Sequence, residues 1–262
     1  MKILKFVFKY LGILIIGILF LFFLVSFLFY IFQKPSNSRE WEFGQQKIQK
    51  VEIENENISI KDLRDYDWTN IWDEEKYKDI DFNIKDIKGL EVGVSHFSVN
   101  EGIGHVFLIF NLENGDDFAL SIESRREIGE PFTLVDGLLS KYELIYILAS
   151  KEDLISLREK RDERVYVYPM KIDEEKAQNL FLLISDKINA LFEKPEFYHL
   201  FLGNCTNLIV KEVEKISENN FPFYEKTFAP GYAGRALFEM NLIDTDLNIF
   251  EEVKEKYLVK FN

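Results

Sequence analysis

An α+β domain with a mainly antiparallel sheet, carried behind one N-terminal transmembrane helix, is the architecture this sequence predicts. Three features carry that reading. An uncharged apolar run opens the chain, short apolar segments of period two joined by turn residues follow, and amphipathic segments with helix-capping residues gather in the second half.

The chain has 262 residues, 47% of them hydrophobic, so it can bury one sizeable core beyond any membrane segment. Residues 1–33 form the first unit. Lys2, Lys5 and Lys9 precede an uncharged stretch from Tyr10 to Phe32, long enough for the roughly 20 residues a bilayer requires. Phe29-Tyr30-Ile31-Phe32-Gln33 offers no small-residue cleavage site and no cysteine lies nearby, so the segment reads as an uncleaved signal anchor. The lysines before the span outweigh Lys34 and Arg39 after it, which puts the N-terminus in the cytoplasm. The expectation is a single-pass protein of the cytoplasmic (inner) membrane, spanning it with residues 10–32. Residues 34–262 then form one extracytoplasmic domain.

Within that domain, residues 33–40 read as a short polar linker. Val51–Ile53 and Ile58–Ile60 alternate around Asn55-Glu56-Asn57, a small hairpin. Residues 66–89 give no clear element, and a strand runs through Leu90–Phe97. His105–Leu112 and Asp117–Ser124 flank Glu113-Asn114-Gly115-Asp116, and Asn-Gly between apolar runs is a strong hairpin signal. Two registers fit. A two-residue turn on Asn114-Gly115 pairs His105 with Ser124. A three-residue loop with Gly115 left-handed pairs His105 with Glu123, Leu108 with Leu120 and Phe110 with Phe118. Tyr142–Leu148 and Val165–Met170 read as strands. Ser150 and Asp153 resemble a capping box opening a short helix. Asp173 caps a longer helix with the stripe Ala177, Leu180, Phe181, Ile184, Ile188 and Leu191, stopped at Lys194-Pro195. A further helix starts after Asn204 on Leu208, Ile209, Val213 and Ile216.

A formal charge of -13 without a basic patch argues against nucleic acid as a partner. The single cysteine, Cys205, excludes an internal disulfide, and an unpaired thiol outside the cytoplasm is a hazard unless buried or used. With Asn204 as N-cap, the thiol lies in the first helical turn, where unsatisfied amides and the helix dipole favour a thiolate. A neighbouring imidazole would complete an activated nucleophile, although a small buried cysteine is the structural alternative. His105, at the exposed beginning of a strand after Gly102-Ile103-Gly104, is the first candidate base. His96 sits in an apolar strand and reads as core, and His199 is a candidate substrate contact. Glu123 would orient His105 in the second register, or else be a solvated carboxylate paired with Arg125. Arg125 and Arg126 point to opposite sides of their strand. Either could bind a phosphate or carboxylate, with a surface ion pair to Glu123 or Glu127 as the alternative. No Walker loop, G-x-S-x-G elbow, H-E-x-x-H or G-x-G-x-x-G motif is present, and neither a metal nor a cofactor is expected.

From Arg39-Glu40-Trp41 to about Ile243 the chain resembles the N-terminal periplasmic domain of Lnb-type lipoprotein N-acyltransferases. The resemblance rests on Ile60–Tyr66, Gly104-His105-Val106-Phe107, Ser121–Glu127, Lys141–Tyr146, Val165–Pro169, Pro195-Glu196-Phe197-Tyr198 and Asn204-Cys205-Thr206. It implies a cysteine–histidine site in a papain-like, circularly permuted arrangement, histidine before cysteine, and fatty-acyl transfer to the amino terminus of lipoproteins. By position His105 and Cys205 take the catalytic roles and Glu123–Glu127 lines the site. Tyr198, His199 and Asn204 are carried over as substrate contacts. His199 stands where an asparagine is expected, and Asn207 where threonine is usual. The family's transferases carry further membrane helices after this domain, whereas this sequence has its one span in front, so a membrane partner supplying helices is a further expectation. The expected activity is thiol-dependent acyl transfer on a lipoprotein or phospholipid. A cysteine hydrolase or amidase of envelope bonds and a non-catalytic envelope scaffold are the rivals, and no oligomeric state is implied.

Overall fold

The computed structural model describes residues 2–70, 75–217 and 220–261. Helix α1 (Lys2–Phe32) is continuous, and its most apolar window, Phe8–Leu28, has a mean hydropathy of 3.0 and none of it is buried against the domain. Nothing in its sequence favours one face over another, as expected for a helix surrounded by lipid. The window begins and ends slightly before the expected 10–32.

Eight strands are described: β1 (Lys50–Glu54), β2 (Asn57–Arg64), β3 (Tyr77–Asn83), β4 (Ile87–His96), β5 (His105–Leu112), β6 (Phe118–Arg125), β7 (Glu143–Ser150) and β8 (Arg164–Pro169). Their order in one sheet is β1-β2-β7-β6-β5-β4-β8, with β3 against β2. Every described pairing is antiparallel except β2 with β7, so the fold is α+β with a mostly antiparallel sheet. The hairpin of residues 50–64 and the strands at 143–150 and 164–169 follow the expectations closely. Strand β4 begins three residues earlier than read from sequence. β3 lies in the stretch that gave no clear element, part of which (71–74) falls outside the described residues. Its alternation is weak because it is a half-exposed edge strand.

The two sheet faces are buried differently. One carries α4 (Glu174–Glu193) and α5 (Cys205–Ile216), packed on Val106, Leu108, Phe110, Leu120 and Ile122. The stripe expected on α4 is buried residue for residue, under the side-chain cap of Asp173 to the Lys176 amide. The other face carries α3 (Lys151–Lys160) against Phe107, Ile109, Ala119 and Ile147. α3 is fixed at its start by Asp153, which takes Arg64 Nη2 at 2.6 Å, the Tyr66 amide at 2.8 Å and Trp68 Nε1 at 3.2 Å, all buried. Shorter helices complete the fold: α2 (Leu134–Leu138), α6 (Phe223–Thr227), α7 (Ala233–Glu239) and α8 (Phe250–Tyr257), with a 3-10 turn at Pro230–Tyr232.

Between β5 and β6 the register is that of the three-residue loop. Leu108 faces Leu120, Phe110 faces Phe118, and Gly115 has φ 83°. Local chemistry decides this: Asp117 accepts the Leu112 amide at 2.9 Å and Asn111 Nδ2 at 3.0 Å, closing the loop wider than a two-residue turn.

Candidate active site at a split in the sheet

The β5–β6 ladder is short. It ends at Phe107↔Ser121, although β5 stays paired to β4 as far as His105↔Ser95 and β6 stays paired to β7 as far as Arg125↔Glu143. The sheet therefore parts between His105-Val106 and Ile122-Glu123, leaving the Val106 amide without a ladder partner on that side. Cys205, first residue of α5, is set against this split. The Val106 amide faces its sulfur and favours the thiolate, and Thr206 Oγ1 lies 3.6 Å away.

α5 starts where it does because Asn204 closes a capping box. Its Oδ1 accepts the Thr206 and Asn207 amides at 3.0 and 2.9 Å, and Asn207 Oδ1 accepts the Asn204 amide at 2.9 Å. Asn204 Nδ2 donates to Leu200 O and Thr227 O, so its whole hydrogen-bonding capacity is used within the fold.

Strand alternation puts His105, Ser121 and Glu123 on the α3 face, opposite α5. They form a relay. His105 Nε2 lies 2.7 Å from Ser121 Oγ, and Ser121 Oγ donates to Glu123 Oε1 at 2.8 Å. Glu123 also accepts Arg158 Nη2 at 3.3 Å and Gln45 Nε2 at 3.4 Å. Because the hydroxyl proton points to the carboxylate, His105 Nε2 must be the ring's donor. In the neutral ring the lone pair is then on Nδ1, which has no hydrogen-bond partner among the described residues. His105 stacks on Phe107 (centroids 6.4 Å, planes 21° apart), and Phe107 lies across Gly93, where a Cβ would overlap its ring. Gly104, just before His105, is required by close approach: a Cβ there would sit 2.8 Å from Gly231 Cα and 2.9 Å from Ser95 O. That steric need, rather than flexibility, is the reason for glycine before His105.

Burial and charge keep the pair neutral. Burial, reinforced by the Arg158 cation, lowers the His105 imidazole to about 3. Glu123 is pulled well below the usual carboxylate range by Arg158 and the neighbouring cationic groups, against the opposing effect of burial. Burial raises the Cys205 thiol despite the Val106 amide. The Glu123 charge raises the thiol further and the Arg158 charge offsets it, both from the other sheet face. Thiol and imidazole thus rest uncharged rather than as an ion pair, and a base held this low takes a proton less readily than an ordinary imidazole.

The remaining candidates fall into two groups. Tyr198 is buried beside Cys205, its phenol raised by burial and by the sulfur. Arg125 is buried, its guanidinium lowered to about 10 chiefly by burial, and it bonds Gln45 O at 2.9 Å and Gln46 O at 2.7 Å while stacking 4.1 Å from the Trp41 ring. Arg126 pairs with Glu42 at 2.5 Å. Neither arginine pairs with Glu123 or Glu127; they tie down the segment entering the domain. His199 Nδ1 accepts the Phe201 and Leu202 amides, both at 3.1 Å, and shapes the loop before Cys205. His96 is buried against Tyr166, as read from sequence. Ser121 and Arg158 escaped sequence reading. Ser121 had a signal, since it precedes Glu123 by two and so shares its face. Arg158 had none beyond its place in a capped helix. Among the described residues, no cluster of three or more histidine, cysteine or acidic side chains is arranged for a metal.

An apolar cavity of about 160 Å³ is lined by Val106 and Thr206, neighbours of the thiol, although Cys205 itself does not line it. It runs along α5 from Thr206 past Ile209, Val210 and Val213 to Ile216, a length of about 15 Å at 1.5 Å per residue. Val106, whose amide meets the sulfur, lines the near end; Lys171, Asp173, Lys176 and Glu214 line the charged far end.

The family model of the Lnb N-terminal periplasmic domain matches residues 73–229, more than half of the sequence. The chain belongs to this family. The matched stretch includes His105, Ser121, Glu123, Arg158 and Cys205, whereas α1 and the linker precede it. No curated protein and no solved structure matches the chain. As a member of the Lnb N-terminal periplasmic domain family with one N-terminal apolar helix, it fits a single-pass membrane protein with its bulk in the periplasm.

Proposed function

We propose that this domain is a thiol-dependent acyltransferase working at the periplasmic surface of the cytoplasmic membrane, its N-terminus in the cytoplasm, on lipoproteins or membrane lipids. What supports the reading is the split between β5 and β6, where the amide of Val106, the residue after His105, faces the Cys205 sulfur, with an apolar cavity running along α5 from the next residue, Thr206. In the first half-reaction His105 Nδ1 takes the thiol proton as sulfur attacks the acyl carbonyl. The tetrahedral adduct collapses to a thioester, and the same proton goes to the departing alkoxide. In the second half-reaction an amine attacks the thioester, His105 takes the amine proton, and the thiolate leaves and is reprotonated. Ser121 and Glu123 hold the ring in the tautomer with Nδ1 open and stabilise the imidazolium while it lasts. The papain-like, permuted order of histidine and cysteine belongs to this reading.

The cavity supports an acyl rather than a peptidyl group on sulfur. An apolar space of this size accommodates about six carbons, judging from benzene in a cavity of about 150 Å³. The test is Cys205→Ala in cells, with lipoprotein N-termini followed by mass spectrometry. Loss of the acylated form is expected, and unchanged acylation removes the transferase. Water in place of the amine would make the enzyme a hydrolase, which product analysis with and without added amine separates. One observation favours a non-catalytic scaffold: the raised thiol and lowered imidazole at rest. A Cys205 inert toward both acyl esters and alkylating reagents would support that reading instead.

A further inference from the structure

The end of the sheet that holds the split also carries most of the domain's exposed apolar side chains. On α2 and the loop before it, Phe132, Leu134 and Val135 are exposed, Leu134 by 62%. Leu202, in the loop leading into Cys205, is 79% exposed, and Phe223 on α6 is 66% exposed. These belong to one surface. Leu200 N donates to Gly137 O at 3.0 Å, joining α2 to the 199–203 loop, and the Phe201 and Phe228 rings meet at 4.9 Å, joining that loop to α6. The opposite end of the sheet is polar, as at the β5–β6 turn of Glu113, Asn114, Gly115 and Asp116.

The membrane span leaves its helix beside this same surface. Three residues separate Phe32 from Ser36, four steps with a reach of at most about 14 Å. From there the chain is fastened. Ser36 N donates to Glu143 at 3.2 Å, Asn37 Nδ2 to Leu191 O and Phe192 O at 3.1 Å, and Arg39 pairs with Glu127 at 2.8 Å and with Glu143 at 2.9 Å. Ile128 N donates to Glu40 O at 3.0 Å, four residues before Phe132. Glu143 faces Arg125, two residues beyond Glu123, so the clamp is on the site's end of the sheet. A clamped linker this short keeps that end close to the bilayer and the polar β5–β6 turn away from it.

We infer that the apolar surface formed by α2, the 199–203 loop leading into Cys205 and α6 is a membrane-docking surface, seated in the headgroup region of the same bilayer that α1 crosses. Side chains such as Leu134, Leu202 and Phe223 gain by leaving water there, and the loop leading into Cys205 then lies against lipid rather than in the aqueous periplasm. The inference goes beyond the acyl-transfer chemistry and needs only that α1 is embedded.

The test uses the full chain in vesicles of phosphatidylethanolamine and phosphatidylglycerol. Cys205→Ser removes the native thiol, and Leu134→Cys, Leu202→Cys, Phe223→Cys, Asn114→Cys or Phe20→Cys supplies one site for a nitroxide label. Collisions with oxygen, which partitions into lipid, are compared with collisions with a water-soluble nickel chelate. The oxygen-to-nickel ratio at Leu134, Leu202 and Phe223 is expected at least about threefold above that at Asn114, approaching the Phe20 value. Labels at these three positions as water-exposed as Asn114, with Phe20 still in lipid, would overturn docking while leaving the anchor intact. Because Cys205 is replaced throughout, the result stands or falls separately from the thiol chemistry.

Discussion

Ser121→Ala is the sharpest test of the relay. The side chain is fully buried and supplies the one side-chain hydrogen bond that His105 makes among the described residues, at 2.7 Å, and one of Glu123's, at 2.8 Å. Glu123 keeps Arg158 and Gln45 when the hydroxyl is removed, so its charge remains compensated. Among the described residues the His105 ring keeps no hydrogen-bond partner: its Nε2–H, aimed at the fully buried Ser121 position, is left unpaired, and no group fixes the tautomer. An unpaired buried donor costs about 1–3 kcal/mol. At 1.36 kcal/mol per decade, that is about a 5- to 150-fold fall in the rate of thioester formation. The assay is a single-turnover reaction with an acyl ester, the acylated protein being counted by intact mass spectrometry. Ser121→Thr retains the hydroxyl and is expected to restore most of the rate. Substrate affinity should change little, because Ser121 touches only the base and its carboxylate. A wild-type rate in Ser121→Ala would refute the relay, and an equal loss in Ser121→Thr would reduce Ser121 to a packing residue.

Four further outcomes are expected. Because the reaction needs neutral imidazole and His105 lies near 3 rather than 6.5, the acid limb of the rate profile should fall well below pH 6, and Arg158→Gln should move it upward by removing a cation; a wild-type limb at 6.5 contradicts this. The same shift makes stability pH-dependent: both His105 and Glu123 have folded values below their unfolded ones, so the unfolded chain takes up protons first as pH falls. Urea midpoints should therefore be steady above about pH 6.5 and decline toward about pH 3. Asn204→Ala removes the α5 cap and the bonds to Leu200 O and Thr227 O; denaturant titration should show a loss of about 2–4 kcal/mol. Val210→Phe narrows the cavity along α5, and kinetics with acyl donors of graded length should show long chains slowed more than short ones, whereas equal slowing would exclude the cavity as the acyl site.

The chain's local order was legible from its residues alone. The membrane span, the buried stripe of α4, the caps Ser150, Asp173 and Asn204 and the existence of the β5–β6 hairpin, though not the choice between its two registers, all follow from periodicity, capping chemistry and turn residues acting within a few positions of each other. Cys205 at a helix start and His105 at a strand start were visible for the same reason. Tertiary structure alone decided how these pieces meet. It made β2 the parallel neighbour of β7, ended the β5–β6 ladder at Phe107↔Ser121, brought Arg158 under Glu123 and turned Arg125 onto the Trp41 ring. Each outcome depends on groups from dozens of positions away competing for the same buried space. Local propensity sets which face a side chain takes, but only packing sets which partner waits there.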